Sequence, residues 1–181
     1  MNKYFKYQFD PQAIIEDFNT LNKNYLLKNN LFCIPQVADE FHIDENFLKG
    51  MARVLTSNPT KCFTVIPFFG DGFEHAADPL TLSRDDVDKL EKIFRELFGA
   101  AILIVNTEKD FILFTTYNDY RLVAGSLRNL KYYFEGIDSG VSNFENHLSK
   151  TCELAKNDIG AANFLKLLEV AKSQYILPEE P

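Results

Sequence analysis

Residues 100–124 read Ala-Ala-Ile-Leu-Ile-Val, Asn-Thr-Glu-Lys-Asp, Phe-Ile-Leu-Phe-Thr-Thr-Tyr, Asn-Asp, Tyr-Arg-Leu-Val-Ala. Turn residues separate three runs, Ala100 to Val105, Phe111 to Tyr117 and Tyr120 to Ala124, each rich in β-branched and aromatic side chains. That is the pattern of consecutive antiparallel strands. The first run is continuously apolar, so both of its faces are expected to be covered. Asn118-Asp119 suits a two-residue hairpin turn because both residues tolerate positive φ. Lys61 to Phe69 has the same composition and is expected as a fourth strand.

Helices are expected on either side of these strands. Downstream, Gly125-Ser126 passes into a helix ending near Phe134, and Ser142 with Glu145 forms a capping box for another reaching Lys156. Asp158 starts a last helix that turns Phe164, Leu165, Leu168 and Ala171 inward, and Ile176 to Pro181 reads as a loose tail. Upstream, Tyr4, Phe5, Tyr7 and Phe9 alternate as in a short strand or an aromatic lid. Asp10-Pro11 reads as N-cap and first helical residue, with Ile14, Phe18, Leu21 and Tyr25 as the buried stripe. Pro35 to Phe41 is expected to be helical, and Asp44 to cap a helix carrying Phe47, Leu48, Met51, Val54 and Leu55 that stops at Ser57-Asn58-Pro59.

Gly70 to Leu82 shows no periodicity and reads as a long surface loop, a kind of segment that often carries function. Ser83 with Asp86 caps an amphipathic helix bearing Val87, Leu90, Phe94 and Leu97, closed by Gly99. Together these signals predict a single α+β domain over residues 1–181. Its sheet is expected to be short and mainly antiparallel, with about four strands packed by about six or seven helices.

Bulk properties narrow the functions. The chain of 181 residues is long enough to bury a core without disulfides or metal, and 17 phenylalanines with no tryptophan supply much of that core. The N-terminus shows no apolar h-region, and the longest apolar run is too short to cross a bilayer, so a cytoplasmic location without membrane contact is expected. Cys33, Cys62 and Cys152 form no CxxC pair and read as reduced, buried small hydrophobes. A net charge of −7 disfavours nucleic acid as a direct ligand and permits a basic protein partner.

No catalytic motif emerges. His42, His75 and His147 lack the spacing that puts two imidazoles on one metal, and there is no GxSxG elbow or phosphate-cradling glycine loop. Tyr132-Tyr133-Phe134 has no basic surround and reads as core packing rather than a base-stacking platform. The one cluster able to hold a divalent cation or move protons is Asp71, Glu74, His75 and Asp78, which defines an alternative reading as a small metal-dependent hydrolase. No cofactor is expected under the main reading. Carboxylates concentrate in two stretches, Asp10 to Glu45 and Asp71 to Glu96, which can converge into one patch.

The run Asp110-Phe-Ile-Leu-Phe-Thr-Thr-Tyr-Asn-Asp-Tyr-Arg-Leu-Val-Ala-Gly-Ser126, an apolar strand, a Tyr-Asn-Asp-Tyr turn and a strand passing into a helix, resembles immunity proteins of bacterial contact-dependent growth inhibition and related polymorphic toxin systems. The resemblance implies a non-enzymatic, acidic, cytosolic α+β protein that neutralises a cognate toxin, many such toxins being nucleases, by occluding it. Asp71, Phe73, Glu74, Asp78, Asp85 and Asp88 are then the expected partner-binding residues, with Phe73 as an aromatic anchor among carboxylates that stand in for phosphate. A regulatory adaptor without a toxin is a further alternative.

Overall fold

A computed structural model describes residues 9–38, 44–57, 62–69, 77–97, 99–116 and 119–178. The decisive stretch forms three adjacent antiparallel strands, β6 (Ala101–Asn106), β7 (Phe111–Thr115) and β8 (Tyr120–Gly125). Side-chain alternation splits each strand between two cores, as a period of two requires. Ile102, Ile104, Phe111, Leu113 and Val123 enter one core, while Leu103, Val105, Ile112, Phe114, Leu122 and Ala124 enter the other. Every residue of these three strands is buried, so both faces are covered as the apolar run predicts.

Side chains set the turns. The carboxamide oxygen of buried Asn106 accepts the N–H groups of Asp110 (3.0 Å) and Phe111 (2.9 Å), which closes the β6–β7 connection. Asp110 C=O then accepts from Ser126 N–H (2.8 Å) and Asn129 Nδ2 (3.0 Å) at the start of the following helix. Gly125 is required beside it, because a Cβ there would lie 2.9 Å from that same carbonyl oxygen.

The expected sheet of about four strands is a correction. The strands form a six-stranded antiparallel sheet, ordered β3-β8-β7-β6-β4-β5, and a separate two-stranded hairpin. β4 (Phe63–Phe68) falls where a strand is expected, but β3 (Phe32–Val37) takes up the start of the segment read as helix from Pro35, and β5 (Leu80–Leu82) lies in the segment read as loop. Pro35 misleads because proline has no donor for a ladder. In β3, Cys33 and Ile176 exchange both backbone bonds on the outer side (2.9 and 3.1 Å), so Pro35, two residues on, also faces outward and leaves pairing with β8 intact. Pro67 in β4 follows the same rule: its C=O accepts Ala77 N–H (2.9 Å) on the side away from β6.

That alternation also describes the two sheet margins. On β3 the outward residues are Cys33, bonded to Ile176, then Pro35 and Val37. On β5 only Thr81 turns its backbone outward, because Leu80 and Leu82 pair with Val65 and Phe63. The next outward residue, Ser83, has its N–H and C=O engaged with Asp86.

The predicted long first helix is a single turn, α1 (Pro11–Ile14). Asp10 caps it as expected, its carboxylate accepting Gln12 N–H at 3.0 Å. The chain then reverses through a hairpin of β1 (Ile15–Asp17) and β2 (Thr20–Leu21), where Asp17 accepts Asn19 N–H at 2.7 Å. Local carboxylate-to-backbone bonds of this kind outcompete helix continuation. Asn22 recaps α2 (Lys23–Lys28) through Tyr25 N–H. Ile14 and Leu21 still reach the core, so their helical spacing is coincidental.

Six elements cover the remaining surfaces: α3 (Glu45–Ser57), a 3-10 helix (Arg84–Lys89), α4 (Leu90–Glu96), α5 (Leu127–Phe134) and the long α6 (Ile137–Leu154) with α7 (Ile159–Lys172) behind it. α3 packs tightly on α5, since a Cβ on Gly50 would approach the Tyr133 ring to 2.6 Å. Ser142 does not begin a helix. α6 starts at Ile137, directly after a break at Glu135 (φ 59°) and Gly136 (φ 132°). Ile176, expected as the start of a loose tail, is held to β3 by its pair with Cys33. Of the cysteines only Cys33 is buried, where desolvation pushes its thiol up to about 12, and Cys62 and Cys152 are exposed.

Tyr175 packs edge-to-face on Phe144 at 5.5 Å with its hydroxyl buried and without a hydrogen-bond partner. Burial, then Glu145 and Cys33, push that hydroxyl above the ordinary tyrosine range. Tyr175→Phe removes an unsatisfied polar group and is expected to be neutral or to raise stability by about 1 kcal/mol in urea unfolding. A loss of more than about 1 kcal/mol would mean that the hydroxyl is bonded after all.

Candidate functional site

Asp71, Phe73, Glu74 and His75 lie outside the described residues. Asp78, Asp85 and Asp88 are described, and all three are exposed. Ser83 and Asp86 form the predicted capping box, but the first turns are a 3-10 helix rather than an α-helix. The Asp86 carboxylate accepts Ser83 N–H (2.9 Å) and its hydroxyl (3.0 Å). These two bonds hold its carboxyl below the usual range, so its support for the cap is present at neutral pH and is lost as pH falls through that lowered value.

With three residues per turn, a 3-10 helix places Asp85 and Asp88 directly above one another. Among the described residues neither forms an ion pair or hydrogen bond, whereas Glu91 on α4 is paired with Arg95 at 2.7 Å. Two unpaired carboxylates therefore stand on one exposed face of the 3-10 helix that follows β5, while Asp78 lies at the other end of that strand. Cations are interspersed at Arg84, Lys89 and Lys92, so the face is mixed rather than uniformly acidic. No group of three His, Cys, Asp or Glu among the described residues is placed to hold a metal ion. No helix among them is long and apolar enough to cross a membrane.

A second constellation was not anticipated from sequence. Arg121 is wholly buried in β8, opposite Gln36 of β3 in the ladder. Its Nη2 pairs with Asp44 Oδ2 at 2.5 Å and its Nη1 donates to Gln36 Oε1 at 3.0 Å. Its guanidinium also lies 5.0 Å from the centre of the Phe47 ring. The Tyr133 hydroxyl donates to the same Gln36 oxygen at 2.9 Å, and burial raises its pKa far enough that it remains a donor. Asp44 meanwhile caps α3 as predicted, accepting Phe47 N–H at 2.8 Å. The signal was present: Arg121 shares a strand face with Val123, so a buried face carries a cation that requires a carboxylate.

Beyond Gln36, at the outer edge of β3, lies a cavity of about 310 Å³. It is lined by Gln36 and Val37 of β3, Asn46 of α3, Phe134 of α5, and Gly140, Asn143, Phe144 and His147 of α6. The α6 residues recur at the three- and four-residue spacing of one helix face. His147 is half-buried there. Of Tyr132-Tyr133-Phe134, the last two are buried as expected, but Tyr132 is 39 % exposed, with Arg128 5.8 Å from its ring centre. Arg53 closes the end of α5, donating to Tyr132 C=O at 2.9 Å and to the Glu135 carboxylate at 2.7 Å.

In comparisons with protein-family models, with curated proteins and with solved structures, the chain has no match.

Asp44→Ala leaves the Arg121 charge buried without its carboxylate and uncaps α3, and is expected to cost about 3–5 kcal/mol in urea unfolding. Arg121→Met combined with Asp44→Ser removes the charge and keeps a cap, and is expected to recover most of that loss. A double variant as unstable as Asp44→Ala would show that the ion pair is not the source of the cost.

Proposed function

We propose that this chain is a non-enzymatic binding protein that acts in the cytoplasm as the immunity partner of a bacterial toxin, covering a basic surface of that toxin with an acidic one. The observation that carries the reading is the stacked pair Asp85 and Asp88, exposed and unpaired among the described residues on the 3-10 helix. Like charges one turn apart repel, and neither of these two forms a hydrogen bond or ion pair among the described residues. A cationic partner relieves that repulsion and gains charge-assisted hydrogen bonds. The two strands of the segment that carries the resemblance, β7 and β8, are buried scaffold, and the proposed interface lies across the sheet from them at the β5 margin.

The reading is tested by co-expressing the chain with the variable C-terminal domain of any large secreted protein encoded beside it, where rescue of growth is expected. Asp85→Lys with Asp88→Lys should leave thermal stability unchanged, because both residues are exposed. It should slow association by about tenfold or more at low ionic strength, the difference shrinking towards about 1 M salt. Failure to rescue would sink the immunity role. An unchanged association rate would move the interface away from this helix.

A further inference from the structure

α5 turns one face outward, and on a chain of net charge −7 that face is basic. Arg128, Lys131, Tyr132 and the capping residue Glu135 recur at the three- and four-residue spacing of a single helix face, and all four are exposed. Glu135 does not offset the two cations, because Arg53 holds its carboxylate at 2.7 Å. Asp138 lies close by in the first turn of α6, where the helix dipole supplies its counter-charge. Among the described residues Arg128 and Lys131 form no ion pair or hydrogen bond. With the Arg128 guanidinium 5.8 Å from the Tyr132 ring centre, the face presents an exposed aromatic beside two uncompensated cations. Tyrosine and arginine are among the side chains that anchor protein interfaces most often.

The same molecule carries the complementary feature. Three residues per turn give the 3-10 helix three columns. Arg84 shares its column with half-buried Val87, and Lys89 shares its column with Asp86, so the column of Asp85 and Asp88 holds carboxylates alone. α3 packs against both this helix and α5, which do not pack closely on each other. Its outward ridge is Glu45, Lys49, Ala52 and Thr56, of which the first two neutralise one another at 2.7 Å and the last two are short. A neutral, low ridge therefore separates an acidic flank from a basic one. We propose that this surface binds a second copy of the chain. With a two-fold axis along the α3 ridge, Asp85 and Asp88 of each copy meet Arg128 and Lys131 of the other, so both contacts form twice and the pair closes on itself. The short side chains at Ala52 and Thr56 let the two α3 helices approach to ordinary packing separations of about 8–10 Å. The inference does not rest on the toxin reading, although it uses the same two carboxylates. Self-association masks them, and a cationic partner has to displace the second copy to reach them.

The test is sedimentation equilibrium of the full chain in about 0.1 M salt, where exposed charges still act across a contact. A reversible dimer is expected, with a Kd of about 100 µM or tighter. Arg128→Glu with Lys131→Glu, and separately Asp85→Lys with Asp88→Lys, should each weaken self-association at least about tenfold. Thermal unfolding should stay unchanged in both, because all four positions are exposed. The second variant should lose the dimer even though its chain is less negative overall, so a change in general repulsion cannot account for the loss. Mixing the two variants should restore a dimer, since both contacts then join opposite charges again. Arg128→Glu with Lys131→Glu leaves Asp85 and Asp88 in place, so its association with a cationic partner should be at least as fast as that of the native chain. The proposal is overturned if the native chain stays monomeric up to about 1 mM, or if it grows beyond a dimer. It is equally overturned if either variant associates with itself as the native chain does, or if the mixture stays monomeric.

Discussion

Arg121 brings a full positive charge into a position with no solvent contact, where Asp44 meets it with a carboxylate. The pair joins elements that the chain order keeps apart. Arg121 sits in β8, Asp44 opens α3, Gln36 comes from β3 and Tyr133 from α5, so one network pins two strands and two helices at the end of a core. A hydrophobic substitute would fill the volume as well. It would not specify register, because apolar contacts tolerate a shift that a bidentate guanidinium does not. The network also fixes the Gln36 amide, so the same constraint that aligns β3 with β8 shapes the neighbouring cavity.

Around this point the sheet works as a partition. Successive residues of β6, β7 and β8 feed opposite cores, one closed by α3, α4 and α5, the other by the β1–β2 hairpin, α6 and α7. An antiparallel sheet buried on both faces needs apolar side chains at every position, which explains the high phenylalanine content and edge-to-face pairs such as Phe47–Phe94 and Phe63–Phe111. Apart from Arg121 with its paired charge, β6, β7 and β8 carry no charged side chain. The exposed Asp85 and Asp88 stand on the 3-10 helix because no interior position could accept them unpaired.

Much of this was legible in the sequence wherever one signal dominated. The strands around Ala100 to Ala124 and the caps at Asp10, Asp44, Ser126 and Asp158 were readable because apolar runs and capping side chains act locally. Segments in which a local rule met a tertiary one were not. Pro35 argues against a strand unless the direction of its missing donor is known, and that depends on Ile176, far along the chain. Ile14, Phe18, Leu21 and Tyr25 keep helical spacing, but the Asp17 turn bends them into a hairpin. For the candidate sites, the exposed carboxylates could be read from charge and capping alone. The Arg121 network could not, because its partners become neighbours only once β3 is known to lie beside β8. The cavity was illegible for the same reason, since its lining comes from four separate elements.

The two margins of the sheet carry a consequence for how this protein can be approached. β3 ends its outward ladder in a closed pair with Ile176 and a proline, and β5 offers a single residue before Ser83 turns its backbone to Asp86. Among the described residues, neither margin of the six-stranded sheet presents the row of open donors and acceptors along which a foreign strand zips. A visitor must therefore read side chains, not main chain. Such a surface can change its specificity one residue at a time while the sheet beneath it stays as it is, and it gives misfolded neighbours no template to extend.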